Sequence, residues 1–150
     1  MSKSDVINDV YKHKQLVSQL MNIVICKLLE RSLNHDNSKM EGVELEIFNQ
    51  FSPLLAKSTY GSDEYSNMLK EMGVGLDHHY ANNRHHPEHY PDGIMGMDLV
   101  DLVEMICDWT ASASRHNDGN ILMSIDKNQE RFHYSDELAQ IFKNTVKRFE

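Results

Sequence analysis

Five histidines lie within twelve consecutive residues, in the stretch HHYANNRHHPEH at positions 78–89. The whole chain of 150 residues has nine histidines, so more than half of them are concentrated here. Imidazole is the most common protein ligand for transition metals, and it is also the side chain that exchanges protons near neutral pH. The stretch therefore indicates a metal site or acid–base chemistry.

A second stretch, HDNSK at 35–39, places a histidine next to an aspartate where a helix is predicted to end. The backbone leaves its helical conformation at a helix end, so both side chains can point toward one position. A neutral imidazole and a carboxylate together suit Mn, Fe, Co, Ni or Zn. An HD dipeptide is common by chance, and it becomes informative only with further ligands nearby.

A third group of polar side chains follows one stripe of the segment 97–115. The stripe consists of Asp101, Glu104, Asp108, Ser112 and Arg115, which recur at spacings of three and four residues. On an isolated helix, such a stripe usually faces solvent. Asp108, however, lies between Cys107 and Trp109, whose residue types are more often buried, and a buried carboxylate needs a cation or a hydrogen-bond donor.

The histidine-rich stretch begins on a predicted helix and continues into a loop. Met72 and Leu76 mark the inward face of this helix, and three further residues lead to His79, whereas a side chain at the preceding position points about 100° away. His79 is thus either a ligand or a hydrogen-bonded core histidine. A loop anchored at both ends can return His85 and His86 to the same place.

His13 does not fit this site. It precedes His35 by 22 residues, which is about 33 Å along an unbroken helix at 1.5 Å per residue. No proline or glycine interrupts residues 14–34. We therefore expect His13 at the surface or facing a partner.

The elements that must position these residues are predicted to be helices. Apolar residues spaced by three and four predict a first helix from an N-cap at Ser4 to about residue 33. Further helices are predicted at 43–51 (closed by Pro53), 63–80, 97–115, 121–130 and 136–149 (capped by Ser135). Residues 81–96 predict an irregular loop, and residues 116–120 a turn. No β-alternation persists, so we expect an all-α fold with one compact domain over residues 1–150.

Composition excludes several classes of protein. A formal net charge of −8 argues against general nucleic-acid binding, which needs a surplus of Lys and Arg. The longest apolar run, at 23–26, is too short for a membrane span, so we expect a cytoplasmic protein. Cys26 and Cys107 lie in apolar helical stretches and are expected to be reduced thiols in the core. Apolar residues on more than one side of the first helix suit a homodimer.

These motifs resemble a known superfamily. HDNSK resembles the HD-x-x-K signature of the HD-domain metal-dependent phosphohydrolases, and HHPEHYPDG is similar to the HHE-x-x-DG stretch of their HD-GYP branch. MICDWTAS resembles the late helix that carries the last aspartate of those enzymes. The whole chain, including YGSDEY and SIDKNQERF, also resembles a group of proteins frequent in bacteriophage genomes, which would place it in the host cytoplasm.

The superfamily resemblance implies one or two divalent transition metals (Mn, Fe, Zn, Co or Ni). The implied ligands are His35, Asp36 and Asp108, with His79, His85 and His86 for a second metal. Lys39 would approach a substrate phosphate. The early histidine ligand of the superfamily has only His13 as a counterpart here, which leaves room for another ligand such as Glu64 or Asp101.

The expected activity is hydrolysis of a nucleotide or related phosphoester by metal-activated water. Asp36, Lys39 and Arg115 are the residues expected to take part directly, and Arg84 is a further cation for the substrate phosphate.

Three alternatives remain open. An HD-type di-iron oxygenase, as in the myo-inositol oxygenase group, would use the same ligands. A phage protein that binds a nucleotide or a host protein would use metal only to hold its loop in place. In the third, the histidines are hydrogen-bonded parts of an ordinary helical domain.

Overall fold

The computed structural model describes residues 2–59, 62–115 and 119–149. Helices account for all the regular structure in these ranges, and they contain no β-strand, which confirms the prediction of an all-α fold. The α-helices are α1 (Lys3–Asn34), α2 (Gly42–Leu55), α3 (Asp63–Asn82), α4 (Leu99–Ala113), α5 (Ile121–Phe132) and α6 (Asp136–Val146). Three short 3₁₀ helices span Asn37–Met40, Pro87–His89 and Gly93–Gly96.

The chain divides into two units, Met1–Asn34 and His35–Glu150. The first unit consists of α1, which is unbroken over 32 residues and has no buried residue among those described. Its cap is Ser2 and not the predicted Ser4, because the backbone N–H of Asp5 donates to Ser2 Oγ at 3.2 Å. The Asp5 carboxylate accepts in return from the backbone N–H of Ser2 at 2.8 Å. The expectation of one domain over residues 1–150 stays a prediction.

The apolar core of the second unit lies between α4, α5 and α6. Its buried side chains are Met105, Ile106, Ile125, Tyr134, Ala139, Phe142 and Val146. The Trp109 ring stacks against Phe132 and Tyr134, with centroids 6.2 Å and 6.4 Å away. This packing fixes the rotation of α4 about its axis, and thereby the direction of its other side chains.

Both cysteines are exposed free thiols, so the prediction that they belong to the core is wrong. Cys107 follows the buried Ile106 by one residue, and the rotation of about 100° between successive residues of a helix turns it outward. Cys26 lies on α1, where no described residue is buried.

Helices α2 and α3 pack closely against each other. A Cβ atom at Gly75 would lie 2.8–3.0 Å from side-chain atoms of Ile47, so glycine permits this approach. Helix α3 kinks at Gly73, whose φ of 22° is rarely adopted by residues with a side chain. Helix α2 continues through Pro53, contrary to the predicted stop, because the Ala56 N–H still bonds to the Ser52 carbonyl at 3.0 Å.

The remaining predicted elements agree closely with the structure. Helices α3, α5 and α6 begin at the predicted residues to within one position, and the Ser135 hydroxyl caps α6 by accepting from the Leu138 N–H. Of the predicted turn at 116–120, residues 116–118 lie outside the described part of the chain. Within the described ranges, none of the helices combines the length and the apolarity that a membrane span requires.

A buried carboxylate fastens the loop between α3 and α4. Asp101 is 0 % exposed and accepts hydrogen bonds from Arg84 at 3.2 and 3.1 Å and from the Tyr90 hydroxyl at 2.6 Å. The Asp98 backbone N–H donates to the same carboxylate at 3.0 Å. Burial would raise the pKa of Asp101, but these bonds outweigh it and lower the pKa to about 2.

Asp101→Asn should lower the free energy of unfolding at pH 7 by about 1–3 kcal/mol, since the amide keeps the shape but not the charge. The pKa of Asp101 is lowered from 3.8 to about 2 by folding, so its stabilising effect is present above pH 4 and lost as the pH falls toward 2. Urea unfolding should therefore show a difference between wild type and variant that shrinks over this window. Asp92→Asn, on an exposed residue of the same loop, is the control, and an unchanged difference for Asp101→Asn across the window would contradict the assignment.

Candidate metal centre

The cluster begins at the first two residues of the second unit. Asp36 has φ 58° and ψ 16°, a left-handed conformation that aspartate tolerates better than most residues. It precedes the 3₁₀ helix Asn37–Met40, and the Lys39 N–H bonds back to the Asp36 carbonyl at 2.9 Å. This tight turn buries the Oδ1 atom of Asp36.

One group of donors surrounds Asp36 Oδ1. The Nε2 atoms of His79 and His85 lie 3.4 Å and 3.5 Å from this oxygen. His86 completes the group, with its Nε2 atom 2.9 Å from that of His79. Three imidazoles and one carboxylate thus present ligand atoms that all lie within 4.8 Å of one another.

A second group shares Asp36 with the first. His35 Nε2 lies 3.5 Å from Asp36 Oδ2 and 3.7 Å from Asp108 Oδ1, so these three residues also present converging ligand atoms. His85 Nε2 is 4.0 Å from Asp108 Oδ2 and links the two groups. The arrangement offers adjacent places for one or two cations.

Two buried atoms indicate that a cation fits here. Asp36 Oδ1 and His85 Nε2 are buried without a hydrogen-bond partner, which is costly for polar atoms. Ligand atoms about 2.1 Å from one ion and separated by 90–110° lie about 3.0–3.4 Å apart. The spacings of 2.9, 3.4 and 3.5 Å in the first group lie within this range or about 0.1 Å from its limits, so the residues fit a divalent metal.

Two glutamates orient the imidazoles from behind. Glu104 Oε1 accepts from the Nδ1 atoms of His35 at 2.9 Å and His85 at 3.2 Å. Glu44, which is 0 % exposed, lies 2.9 Å from His79 Nδ1. An ionised carboxylate accepts hydrogen bonds and cannot donate them, so each of these Nδ1 atoms carries a proton and the Nε2 atoms point into the cluster.

Further contacts hold Glu44 in place. The Ser38 hydroxyl donates to Glu44 Oε2 at 2.9 Å, and the Asn83 amide donates to that hydroxyl at 2.7 Å. His78 contacts Glu44 Oε1 at 2.6 Å, while its own side chain is half-exposed, as predicted for an outward residue. The position of His79 is therefore set by α2, α3 and the first 3₁₀ helix together.

Negative charge dominates the electrostatics of the cluster. Asp108 and Glu104 raise the pKa of His35 to about 10. Burial would raise the pKa of Asp108, but His35 and the neighbouring imidazoles lower it to about 2. Burial and the adjacent His85 and His79 lower the pKa of His86 to about 2, so this ring stays neutral and able to bind metal.

The structure brings most of the predicted site residues together. They are His35, Asp36, Lys39, His79, His85, His86 and Asp108. Arg115 is exposed beyond the end of α4, about 10 Å along the helix from Asp108, so it lies outside this cluster. Arg84, expected to bind substrate phosphate, and Asp101, considered as a metal ligand, instead bind each other. Glu64 is exposed.

Glu44 was missed by the sequence analysis, and Glu104 was recognised only as part of a polar stripe. A signal for Glu44 does exist in α2. Glu44 shares a face with Ile47, Phe48 and Phe51, at spacings of three, four and seven residues, and an acid on such a face requires a buried partner.

His13 and the last residues of the histidine stretch are not members of the donor groups. His13 lies on α1, which runs without a break for a further 21 residues, or about 32 Å. His89 Nδ1 bonds to the Tyr80 carbonyl at 2.9 Å, and Glu88 forms an ion pair with Arg131. The last two contacts hold the loop in place.

Comparison with known proteins gives a family but no activity. A family model described as a family of unknown function, DUF5662, matches residues 2–148. No curated protein and no solved structure matches the chain significantly. The chemistry of the cluster must therefore be argued from its own residues.

Glu104→Gln should weaken metal binding about 10–100-fold while leaving the number of ions per chain at saturation unchanged. Both imidazole Nδ1–H groups bond to the same oxygen, Oε1, and a neutral amide oxygen in its place accepts these bonds more weakly than a carboxylate does. Chelator competition gives the affinity, and elemental analysis gives the stoichiometry.

Glu46→Gln, on an exposed residue of α2, is the control and should bind like wild type. Loss of one whole ion from the Glu104 variant would show instead that Glu104 is itself a ligand, together with the Nδ1 atoms of His35 and His85.

Proposed function

The chain belongs to the DUF5662 family of unknown function, and we propose from its cluster that it is a metal-dependent phosphohydrolase. The observation that carries this proposal is the pair of buried atoms without a hydrogen-bond partner, Asp36 Oδ1 and His85 Nε2, within a donor group of one carboxylate and three imidazoles. When bound, a divalent metal supplies a hydroxide nucleophile near neutral pH and draws charge from a phosphoryl oxygen.

Lys39 supplies the group that would hold a substrate phosphate. Its ammonium nitrogen lies 2.6 Å from Asp36 Oδ2 and 4.7 Å from the centre of the Phe48 ring, so its position is fixed on two sides. The side chain is 31 % exposed, which leaves it accessible from solvent. A phosphate bound beside Asp36 meets this cation directly.

The carboxylates have separate tasks in this proposal. Asp36 belongs to both donor groups, so it positions the two places for ions relative to each other. Asp108 holds His35 and faces His85, and its lowered pKa keeps it ionised throughout the physiological range. Both carboxylates neutralise cation charge in a partly buried site.

The order of these residues along the chain also supports the proposal. A histidine–aspartate pair comes first, loop histidines follow, and a late helix carries the last aspartate, which is the order that the HD-domain resemblance implies. By this resemblance, the substrate is a nucleotide or a related phosphate ester. Metal bound to such ligands also suits oxygen chemistry or a purely structural role in the loop, and metal analysis with a substrate screen separates these outcomes.

The test is elemental analysis of purified protein, followed by reconstitution with Mn, Fe, Co, Ni or Zn and a screen for product release. Substrates should include p-nitrophenyl phosphate, its bis ester, nucleoside mono-, di- and triphosphates, and cyclic dinucleotides. Release of phosphate or of a hydrolysed nucleotide is the expected result. An iron-loaded, coloured protein that consumes dioxygen would indicate an oxygenase, and tight nucleotide binding without turnover would indicate a binding protein.

Asp36→Asn should lose most of its bound metal and melt at a lower temperature, because both donor groups lose a charged ligand. Asparagine tolerates the left-handed backbone of this position, so the turn itself is preserved. His13→Ala, on α1, should keep its metal content. Full metal occupancy in Asp36→Asn would contradict the proposed centre.

Lys39→Met should retain metal but lower kcat/KM by about 100-fold, since the side chain keeps its length but loses the charge that holds phosphate. Lys57→Met removes an exposed lysine elsewhere and is the matched control. Equal activity in the two variants would remove Lys39 from the substrate site.

A further inference from the structure

Helix α1 exposes apolar side chains along its whole length. Thirteen large hydrophobic residues between Val6 and Leu33 are 39–79 % exposed. Apolar patches on soluble monomers rarely exceed a few hundred Å², and larger ones mark interaction sites. A helix in water also gains most of its stability by packing one face against a partner.

One face of α1 repeats every seven residues. The first series comprises Ile7, Lys14, Met21 and Leu28, and the second comprises Val10, Val17, Val24 and Arg31. These eight residues, which we name the α1 seam, occupy the a and d positions of a heptad repeat, and six of them are apolar. The flanking positions add Val6, Tyr11, Leu20 and Ile25. Such a pattern over four heptads is typical of a coiled coil.

The seam is large enough for a stable pair of helices. Full burial of a Val, Leu, Ile or Met side chain removes on the order of 100 Å² from water. Nine of the ten apolar side chains on and beside the seam, all but Leu28, are 39–61 % exposed, so each helix has on the order of 500 Å² of apolar surface to bury. Polar groups beside the seam add to this buried area, which then approaches the ~800 Å² that each partner buries in a standard interface.

The charges of α1 favour an antiparallel copy of itself. Two residues of the seam, Lys14 and Arg31, are basic. A parallel pair would place Lys14 of one copy against Lys14 of the other, and Arg31 against Arg31. An antiparallel pair avoids this repulsion, because matching a layers to d layers places Lys14 beside Val24 of its partner and Arg31 beside Ile7.

We propose that α1 is a dimerisation helix that pairs, antiparallel, with α1 of a second copy of this chain. A second copy fits this surface because the seams of two α1 helices have the same heptad spacing. Val10, Val17 and Val24, one in each successive heptad, can therefore pack between seam residues of the partner helix. The proposal is independent of the activity of the metal centre.

Light scattering of the full chain after size exclusion should give twice the monomer mass of 17.4 kDa. Met21→Glu places a charge in the seam and should raise the dimer dissociation constant more than 100-fold. Gln19→Glu adds the same charge on the opposite side of α1 and should leave the dimer intact. Circular dichroism of both variants checks that the helix persists.

A wild-type chain that stays monomeric at every concentration up to 200 µM would overturn the proposal. Equal dissociation of the two variants would overturn it too, because a nonspecific charge effect would then explain the loss.

Orientation is tested with single cysteines in a Cys26→Ser, Cys107→Ser background. Matching a layers to d layers in an antiparallel pair puts Val10 of one protomer beside Leu28 of its partner. Chains carrying Val10→Cys and chains carrying Leu28→Cys should therefore form a disulfide-linked dimer when mixed. Cross-linking of Val10→Cys chains to one another would show a parallel pair and overturn the antiparallel arrangement.

Discussion

The second unit depends on the packing of four buried or partly buried carboxylates against imidazoles. Each of these carboxylates contacts at least one histidine, and they belong to Asp36, Glu44, Glu104 and Asp108. The Lys39 ammonium also forms an ion pair with Asp36. Buried charges of one sign destabilise a fold unless cations or donors compensate them. The imidazole Nδ1 protons compensate the two glutamates, Lys39 pairs with Asp36 Oδ2 and His35 pairs with Asp108. The buried Asp36 Oδ1 atom remains without a hydrogen-bond partner and is the atom that a metal would compensate. The same requirement therefore explains both the stability of this region and its capacity to bind ions.

Helix α4 transmits the rigidity of the apolar core to the cluster. On one side Met105, Ile106 and Trp109 pack against α5 and α6, and on another Glu104 and Asp108 reach the histidines. A ligand on a packed helix holds its position better than one on a free loop. The loop histidines obtain their rigidity differently, because the Arg84–Asp101 contact ties the start of the loop to the same helix.

Much of this arrangement is predictable from sequence, and the rest depends on tertiary contacts. Helical periodicity located α3, α5 and α6 well, and the inward position of His79 follows from its spacing to Met72 and Leu76. Asp36 was selected from its place beside His35 at a helix end, and Asp108 from the polar stripe of its helix and its neighbours Cys107 and Trp109. Motif resemblance then implied that both are metal ligands. The apolar face of α2 predicts that Glu44 is buried, but nothing local identifies its partner, since the histidine that it holds is 35 residues away. Arg115 was placed in the site because its stripe was extended past the end of α4, where the helix no longer carries it.

Shared ligands give the cluster a property that no single residue has. Asp36 belongs to both donor groups, and Glu104 holds one imidazole from each. An ion that orders Asp36 in one group also positions it for the other. The conformational entropy of this side chain is therefore lost only once when two ions bind. Ions at the two places would therefore not bind independently of each other, since the ordering of Asp36 by one ion favours a second, whereas the repulsion between two adjacent cations opposes it.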